Sequence, residues 1–395
     1  MAEKAGFKTV EADFEEIEKE IREHRKKRIR RVLTVGGIIA VAAILIVLFL
    51  ELRSFDDYTV LTSSERGESS ASHFTGFQNY VLEYSNDGIV CMDASGGLIW
   101  NQAYEMSNPE ISICQDKLAV YDKGGKSLVI LSQDGLVKEL ETSRQIQTVS
   151  IASQGTVAVL MTEEQDYHLK LYDTEGTELA SGEYHASKGQ IPVDIALSQD
   201  AQKLAVDLID ITTGSVDTTI AFYNFGSVGQ NEIDNIVGSF VYEDTLIPEI
   251  EYLTGNTMMA LTDTSIMLFE GNQKPELSRT IEMDQQLTAI YNNDKYIGIV
   301  YPDEEDSSVY QIQVYDLTGN VVMKNKTSIP FNDVYFLSNN ETCVLGTYEC
   351  ELFTIHSIKK FACEFDTEVY SFLYSGTLSN YVLIRNGATE EVRLK

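Results

Sequence analysis

Residues 144–181, RQIQTVSIASQGTVAVLMTEEQDYHLKLYDTEGTELAS, divide into four short strands: TVSIAS, TVAVLMT, HLKLYD and ELAS. A Gly-containing turn, an acidic loop and a TEG turn separate them, so the spacing predicts one antiparallel four-stranded sheet. The third strand ends in Tyr172-Asp173, and Gly176 supplies the turn, where a positive φ costs glycine little. The same ending returns as Met92-Asp93 with Gly96, as Ser132-Gln133-Asp134 with Gly135, and as Tyr315-Asp316 with Gly319. Asp93, Asp134 and Asp173 stand 41 and 39 residues apart, and the 143 residues from there to Asp316 hold three further units.

Weaker copies fall where this period requires them, with third strands at Thr219 to Tyr223, Ser265 to Phe269 and Glu351 to Ile355. The stretch from Val369 to Lys395 offers three strands, the last two joined by a tight Asn386-Gly387 hairpin. Tyr58 to Ser63 can supply the missing fourth, so the N-terminal strand closes the last sheet and neither terminus leaves a large open edge. The expectation is an all-β fold, a β-propeller of four-stranded blades. Eight blades are favoured, or seven if 183–240 is an insertion. Such an array buries its faces only against neighbours and folds as one domain.

Ahead of it, Val32 to Leu50 (VLTVGGIIAVAAILIVLFL) is a run of 19 residues without a charge. As a helix it spans roughly 28 Å, against a hydrocarbon core of about 30 Å. Glu51, Leu52 and Arg53 follow with no small-residue cleavage pattern, so the run is expected to be an uncleaved anchor, one transmembrane helix. Arg25, Lys26, Lys27, Arg28, Arg30 and Arg31 precede it, whereas the far side offers Arg53 among several acids. The positive-inside bias then keeps the N-terminus in the cytoplasm and places the C-terminal domain outside. Phe14, Ile17 and Ile21 lie on one helical face, which suits a short docking helix or, by preference, a solvated extension of the membrane helix. The expected organisation is a cytoplasmic tail at 1–31, the membrane helix at 32–50, a linker at 51–56 and an extracytoplasmic propeller at 57–395.

The chain carries a formal charge of −31, but residues 1–31 hold ten Lys/Arg and eight Asp/Glu, so the remainder carries −33. A body this acidic repels phosphate backbones, which excludes nucleic acid as a partner and favours cations or basic proteins. The acids cluster between second and third strands, as Glu163, Glu164 and Asp166 in one unit and Asp303, Glu304, Glu305 and Asp306 in another. Those loops emerge on the same face as the connections between blades, so the two clusters are candidates for a shared negative rim that meets a partner. The plainer reading is solvated surface charge. Neither cluster has the alternate-ligand spacing and central Gly of a dedicated calcium loop.

The Asp-x-x-Gly turn followed by an aromatic in the fourth strand, DASGGLIW at 93–100, is similar to the blades of quinoprotein-type and WD-type propellers. The whole arrangement of basic tail, single anchor and divergent propeller resembles domain-of-unknown-function family 5711, membrane proteins of Gram-positive bacteria. That resemblance covers nearly the full chain and implies no established activity. Quinone-binding relatives use an adjacent cysteine pair and several structural tryptophans. This sequence has no Cys-Cys and one tryptophan, Trp100, so no cofactor is carried over.

Other chemistry is sparse. The five histidines are scattered and form no H-E-x-x-H, and there is neither a G-x-S-x-G elbow nor a phosphate-cradling glycine loop. Ser357 and Lys360 match S-x-x-K without its companion motifs. Paired carboxylates are too numerous for any one pair to mark a glycosidase. Five cysteines are too few for a disulfide framework, although Cys350 and Cys363 sit on neighbouring expected strands where one bridge is open. Asn325 and Asn340 match a glycosylation pattern that matters only in a eukaryotic secretory pathway. The sequence reads best as an interaction or scaffold module held at the outer face of the cell membrane, without catalysis, meeting another envelope protein or a wall component. The alternative is an envelope hydrolase of glycan or peptide, its carboxylates gathered at the propeller channel.

Overall fold

The computed structural model describes residues 14–51, 53–66, 72–212, 214–377 and 379–395. Two compact units divide the chain after Ser54. The first contains one continuous helix, Phe14–Glu51. Its Arg25, Lys26, Lys27, Arg28, Arg30 and Arg31 are all solvent-exposed, and Arg22 pairs with Glu18 one turn back at 2.7 Å. Among the described residues no helix is long and apolar enough to cross a membrane. Of the expected span 32–50, the side chains at 40 and 43–50 lie outside the described residues, as do those of Phe14 and Ile17.

The second unit contains eight four-stranded antiparallel sheets among the described residues, seven of them with their strands in sequence order. Seven are continuous: 73–103, 109–141, 145–185, 191–242, 249–282, 289–327 and 331–364, numbered here as blades 1 to 7. Blade 8 takes its three inner strands from 369–394 and its outermost from Tyr58–Glu65, which pairs with Ala388–Leu394. The ring is therefore closed by the N-terminal strand, as the hairpin count required. The 183–240 stretch is a blade, not an insertion. Its third-to-fourth connection carries two short 3-10 turns, Gly229–Asn231 and Ile233–Asn235, which is why it lacks the Asp-x-x-Gly ending.

That ending has a physical basis. Asp93 Oδ1 accepts hydrogen bonds from the N–H groups of Ser95 and Gly97, both at 2.8 Å, and Asp173 accepts likewise from Glu175 and Thr177, and Asp316 from Thr318 and Asn320. Gly96, Gly176 and Gly319 follow with φ near +80°. Asp134 departs from the pattern: its blade turns in two residues, and the Gln133 carbonyl accepts from Trp100 Nε1 of the preceding blade at 2.9 Å.

Second strands lie under neighbours on both faces, so they read as unbroken apolar runs such as Leu118–Tyr121 and Val157–Met161 rather than as alternation. Eight apolar clusters result, one at each junction between consecutive blades. At the blade 6–7 junction the Tyr291 ring crosses Gly298, where an added Cβ would lie 2.1 Å from the ring, and its hydroxyl pairs with that of Thr342 at 3.2 Å. All five cysteines are free thiols. Cys350 and Cys363 lie on neighbouring strands, as expected, and stand directly opposite each other, yet the Cys350 sulfur lies 3.7 Å from that of Cys343.

Candidate functional site in the central channel

Each blade runs outward from an inner strand that lines the axis, and every inner strand starts at the same end of the ring. The connections between blades and the second-to-third hairpins share this end, called here the entry mouth. Both acidic clusters belong to it, on blades 3 and 6. The structure pairs much of their charge locally. Glu163 meets Arg144 at 2.7 Å, and Asp166 meets His185 Nδ1 at 2.7 Å, a contact that holds its carboxyl below the usual range. Lys326 sits 2.5 Å from Asp303 and lowers it to about 2, with Gln311 and the Glu305 N–H adding to the effect. Glu304 accepts from Gln285 at 2.6 Å, and Asp306 from Ser308 at 2.6 Å.

The strand register reveals a second acidic set. Opposite equivalent second-strand residues, the inner strands of blades 1 to 8 carry His73, Glu110, Thr148, Asp194, Glu249, Ala289, Asp333 and Ser371. Four of these eight are carboxylates at one level of the ring, close to the entry mouth. In blades 3, 4, 7 and 8 a β-bulge immediately precedes the position, which re-aims the side chain that follows. Glu110 accepts hydrogen bonds from the Tyr121 hydroxyl and Lys123 Nζ, both at 2.8 Å. Burial pushes Glu249 and Asp333 above the usual carboxylate range.

Asp194 has a structural task. Elsewhere the residue two positions further along the inner strand clasps the next blade: Ser112 Oγ accepts from the Ile151 N–H at 3.2 Å, and Ser150 Oγ from the Leu197 N–H at 2.9 Å. Blade 4 has Ala196 there, and Asp194 Oδ2 takes over by accepting from the Ile250 N–H of blade 5 at 3.0 Å. Burial raises Asp194 to about 6, aided by Glu249 and opposed by the Ile250 and Ile195 N–H groups and Lys123.

Asp207 has no such task. It faces Asp194 across the blade 4 ladder, where the corresponding residues are Tyr84, Tyr121, Leu160, Leu261, Val300, Leu345 and Ile384. It is fully buried, and neither oxygen has a hydrogen-bond partner. Burial first, and Asp194 second, raise it to about 8, with only the nearby Leu208 N–H acting the other way.

The channel itself opens into two lobes that share Gln78, Ile113, Gln115 and Asn293. One, of about 620 Å³, is walled by inner strands of blades 2 to 6 and contains Asp194, Glu249, Glu251 and Asp294. The other, of about 740 Å³, contains Asp333 and an aromatic wall of Phe74, Tyr80, Tyr335, Phe336, Tyr370 and Tyr374. Among the described residues no Lys, Arg or His lines either lobe. Glu251 accepts from Asn292 Nδ2 at 2.7 Å and is also raised by burial. Among the described residues no three His, Cys, Asp or Glu side chains gather closely enough to hold a metal ion.

Sequence reasoning placed the two loop clusters on the correct hairpins but missed the channel set. The bulges displace Asp194 and Asp333 by one residue from simple alternation, and Asp207 sits inside KLAVDLID, which reads as an ordinary half-buried strand.

Known structures share the architecture. The chain is similar to the C-terminal WD40 domain of Sif2, with 10% identity and a TM-score of 0.56 over 86% of this chain and 99% of that one. It is also similar to the computationally designed Ika8 protein, with 12% identity and a TM-score of 0.57 over 85% and 99%. For Sqt1 of Saccharomyces cerevisiae the values are 12% and 0.51 over 87% and 99%. At such identities the likeness establishes the propeller fold alone. No curated protein matches the chain. The model of one family does match, over residues 51–394, nearly the whole propeller, and the chain therefore belongs to the family of unknown function DUF5711.

Proposed function

We propose that this protein is a membrane-tethered interaction module whose propeller lies outside the cell membrane and receives another protein at the entry mouth. The observation that carries the reading is the concentration of carboxylates at one end of the ring, at the channel level and on the blade 3 and blade 6 hairpins, with no basic residue among the described residues of the channel wall. Such a field attracts a basic partner and speeds its encounter. The propeller fold is one commonly used for protein interaction. The tether rests on the uncharged run 32–50 and the basic residues before it.

The hydrolase reading draws on the raised carboxyl groups of blade 4. It requires two carboxyl groups within reach of one bond, and Asp207 is fully covered. Asp207 therefore cannot act as the second group, and the surplus of carboxylates at the entry mouth favours binding over turnover.

Two experiments test the proposal. A tag after Lys395 should be cut by protease added to intact cells, and protection until lysis would contradict the outward placement. Charge reversal of Glu164 and Glu305 together should release the proteins that co-purify with the full-length chain, whereas reversal of Glu175 and Asp134, at the opposite mouth, should not. Equal loss from both pairs would contradict an entry-mouth partner.

A further inference from the structure

A carboxyl group buried without a hydrogen-bond partner costs free energy, and the other seven blades show that the fold does not need one at the position of Asp207. Residues directly opposite in an antiparallel pair project from the same face of the sheet, so Asp207 points the same way as Asp194, toward the junction with blade 5. Asp194 reaches across that junction to the Ile250 N–H, and Glu249 stands beside it at the start of the blade 5 inner strand. The junction opens into the acidic lobe of the channel, in which Asp194 and Glu249 are both part of the wall. Three carboxyl groups thus converge on one junction. The nearest base that influences them is Lys123, already paired with Glu110 at 2.8 Å.

We propose that the blade 4–5 junction is a recognition pocket for a lysine or arginine side chain of an extended basic segment of the partner protein, which seats between Asp194 and Glu249 with Asp207 as the buried counter-charge. This rests on the interaction-module reading and names the chemistry of its partner. A single metal ion is disfavoured because no three ligating side chains of the described residues converge closely enough to coordinate one. A lobe of 620 Å³ with further carboxylates at Glu251 and Asp294 suits a chain that carries several cationic groups. Arrival of a cation favours the ionised form of Asp207, whose other charged neighbours are Asp194 and, through it, Glu249 and Lys123. Binding at neutral pH therefore releases a proton.

The test is calorimetry on the purified full-length protein with an acetylated Lys-Gly-Lys-Gly-Lys peptide, its Glu-Gly-Glu-Gly-Glu counterpart and spermine. The basic peptide should bind, the acidic one should not, and repeating the titration at pH 7 in buffers of different ionisation enthalpy should reveal proton release. Asp207→Leu restores the residue type of blades 3, 5 and 7 and should fold, abolish the proton release and weaken the peptide roughly tenfold. Asp194→Asn keeps an oxygen for the Ile250 N–H and should weaken it as well. Unchanged affinity and proton release in Asp207→Leu, or no binding of the basic peptide, would overturn the inference. Spermine bound as tightly as the peptide would overturn the assignment to a peptide. If the peptide fails while charge reversal at Glu164 and Glu305 still releases the co-purifying partner, the pocket is wrong and the interaction reading stands.

Discussion

Leu160, Leu261, Val300, Leu345 and Ile384 show what a second strand ordinarily buries opposite its inner strand, and Asp207 departs from all of them. Its carboxyl titrates at about 8 in the fold, against 3.8 when unperturbed. Between those values the native state holds a proton that the unfolded chain has lost, so this residue makes stability fall as pH rises from about 4 to about 8. Asp207→Leu should flatten that slope in chemical denaturation and raise stability at pH 8 by roughly 1–3 kcal/mol. A mutant less stable than wild type at both ends of the range would show that the acid serves the fold. Gly298 is the opposite case, a residue fixed by its neighbour. An alanine there must displace the Tyr291 ring, and Gly298→Ala should cost roughly 1–3 kcal/mol and lower the melting temperature. Retention of wild-type stability would mean that the ring moves aside at little cost.

Strands and their endings were legible because their chemistry is local. The Asx-type turns at Asp93, Asp173 and Asp316 need only a carboxylate, a glycine three residues on and nearby N–H groups, and all of these are visible in sequence. The N-terminal strand was legible by subtraction, since 369–395 supplies three strands and a fourth was missing. Asp134 shows the limit, because its unit keeps the Asp and Gly letters but makes a two-residue turn. The channel set was hidden for a different reason. Its members lie dozens of residues apart in sequence and share a level only through bulges that no local pattern announces. Closure can be tested at this scale. Removal of residues 1–66 takes away the outer strand of blade 8 and exposes the edge of Ala388–Leu394. The truncated chain should melt at least about 5 °C lower and self-associate, given that a few kcal/mol shifts melting by this order in a large domain. Unchanged melting would mean that the ring does not depend on that strand.

Taken as a whole, the molecule separates its charge. Residues after 31 carry −33, and the entry mouth collects carboxylates at two radii, in the channel and on the hairpins. Long-range attraction of this kind is screened within about 8 Å at physiological ionic strength. Partner association should therefore slow roughly tenfold or more between 50 and 500 mM salt, while dissociation changes less. A salt-independent association rate would assign recognition to apolar contacts instead. The proposed interaction turns on which mouth of the propeller meets the partner. The most direct measurement is site-specific photo-crosslinking in intact cells from Glu164 and Glu305 at the entry mouth, compared with Glu175 and Asp134 at the other. Discrete crosslinked partners are expected from the first pair alone, and crosslinks confined to the second pair would contradict a partner at the entry mouth.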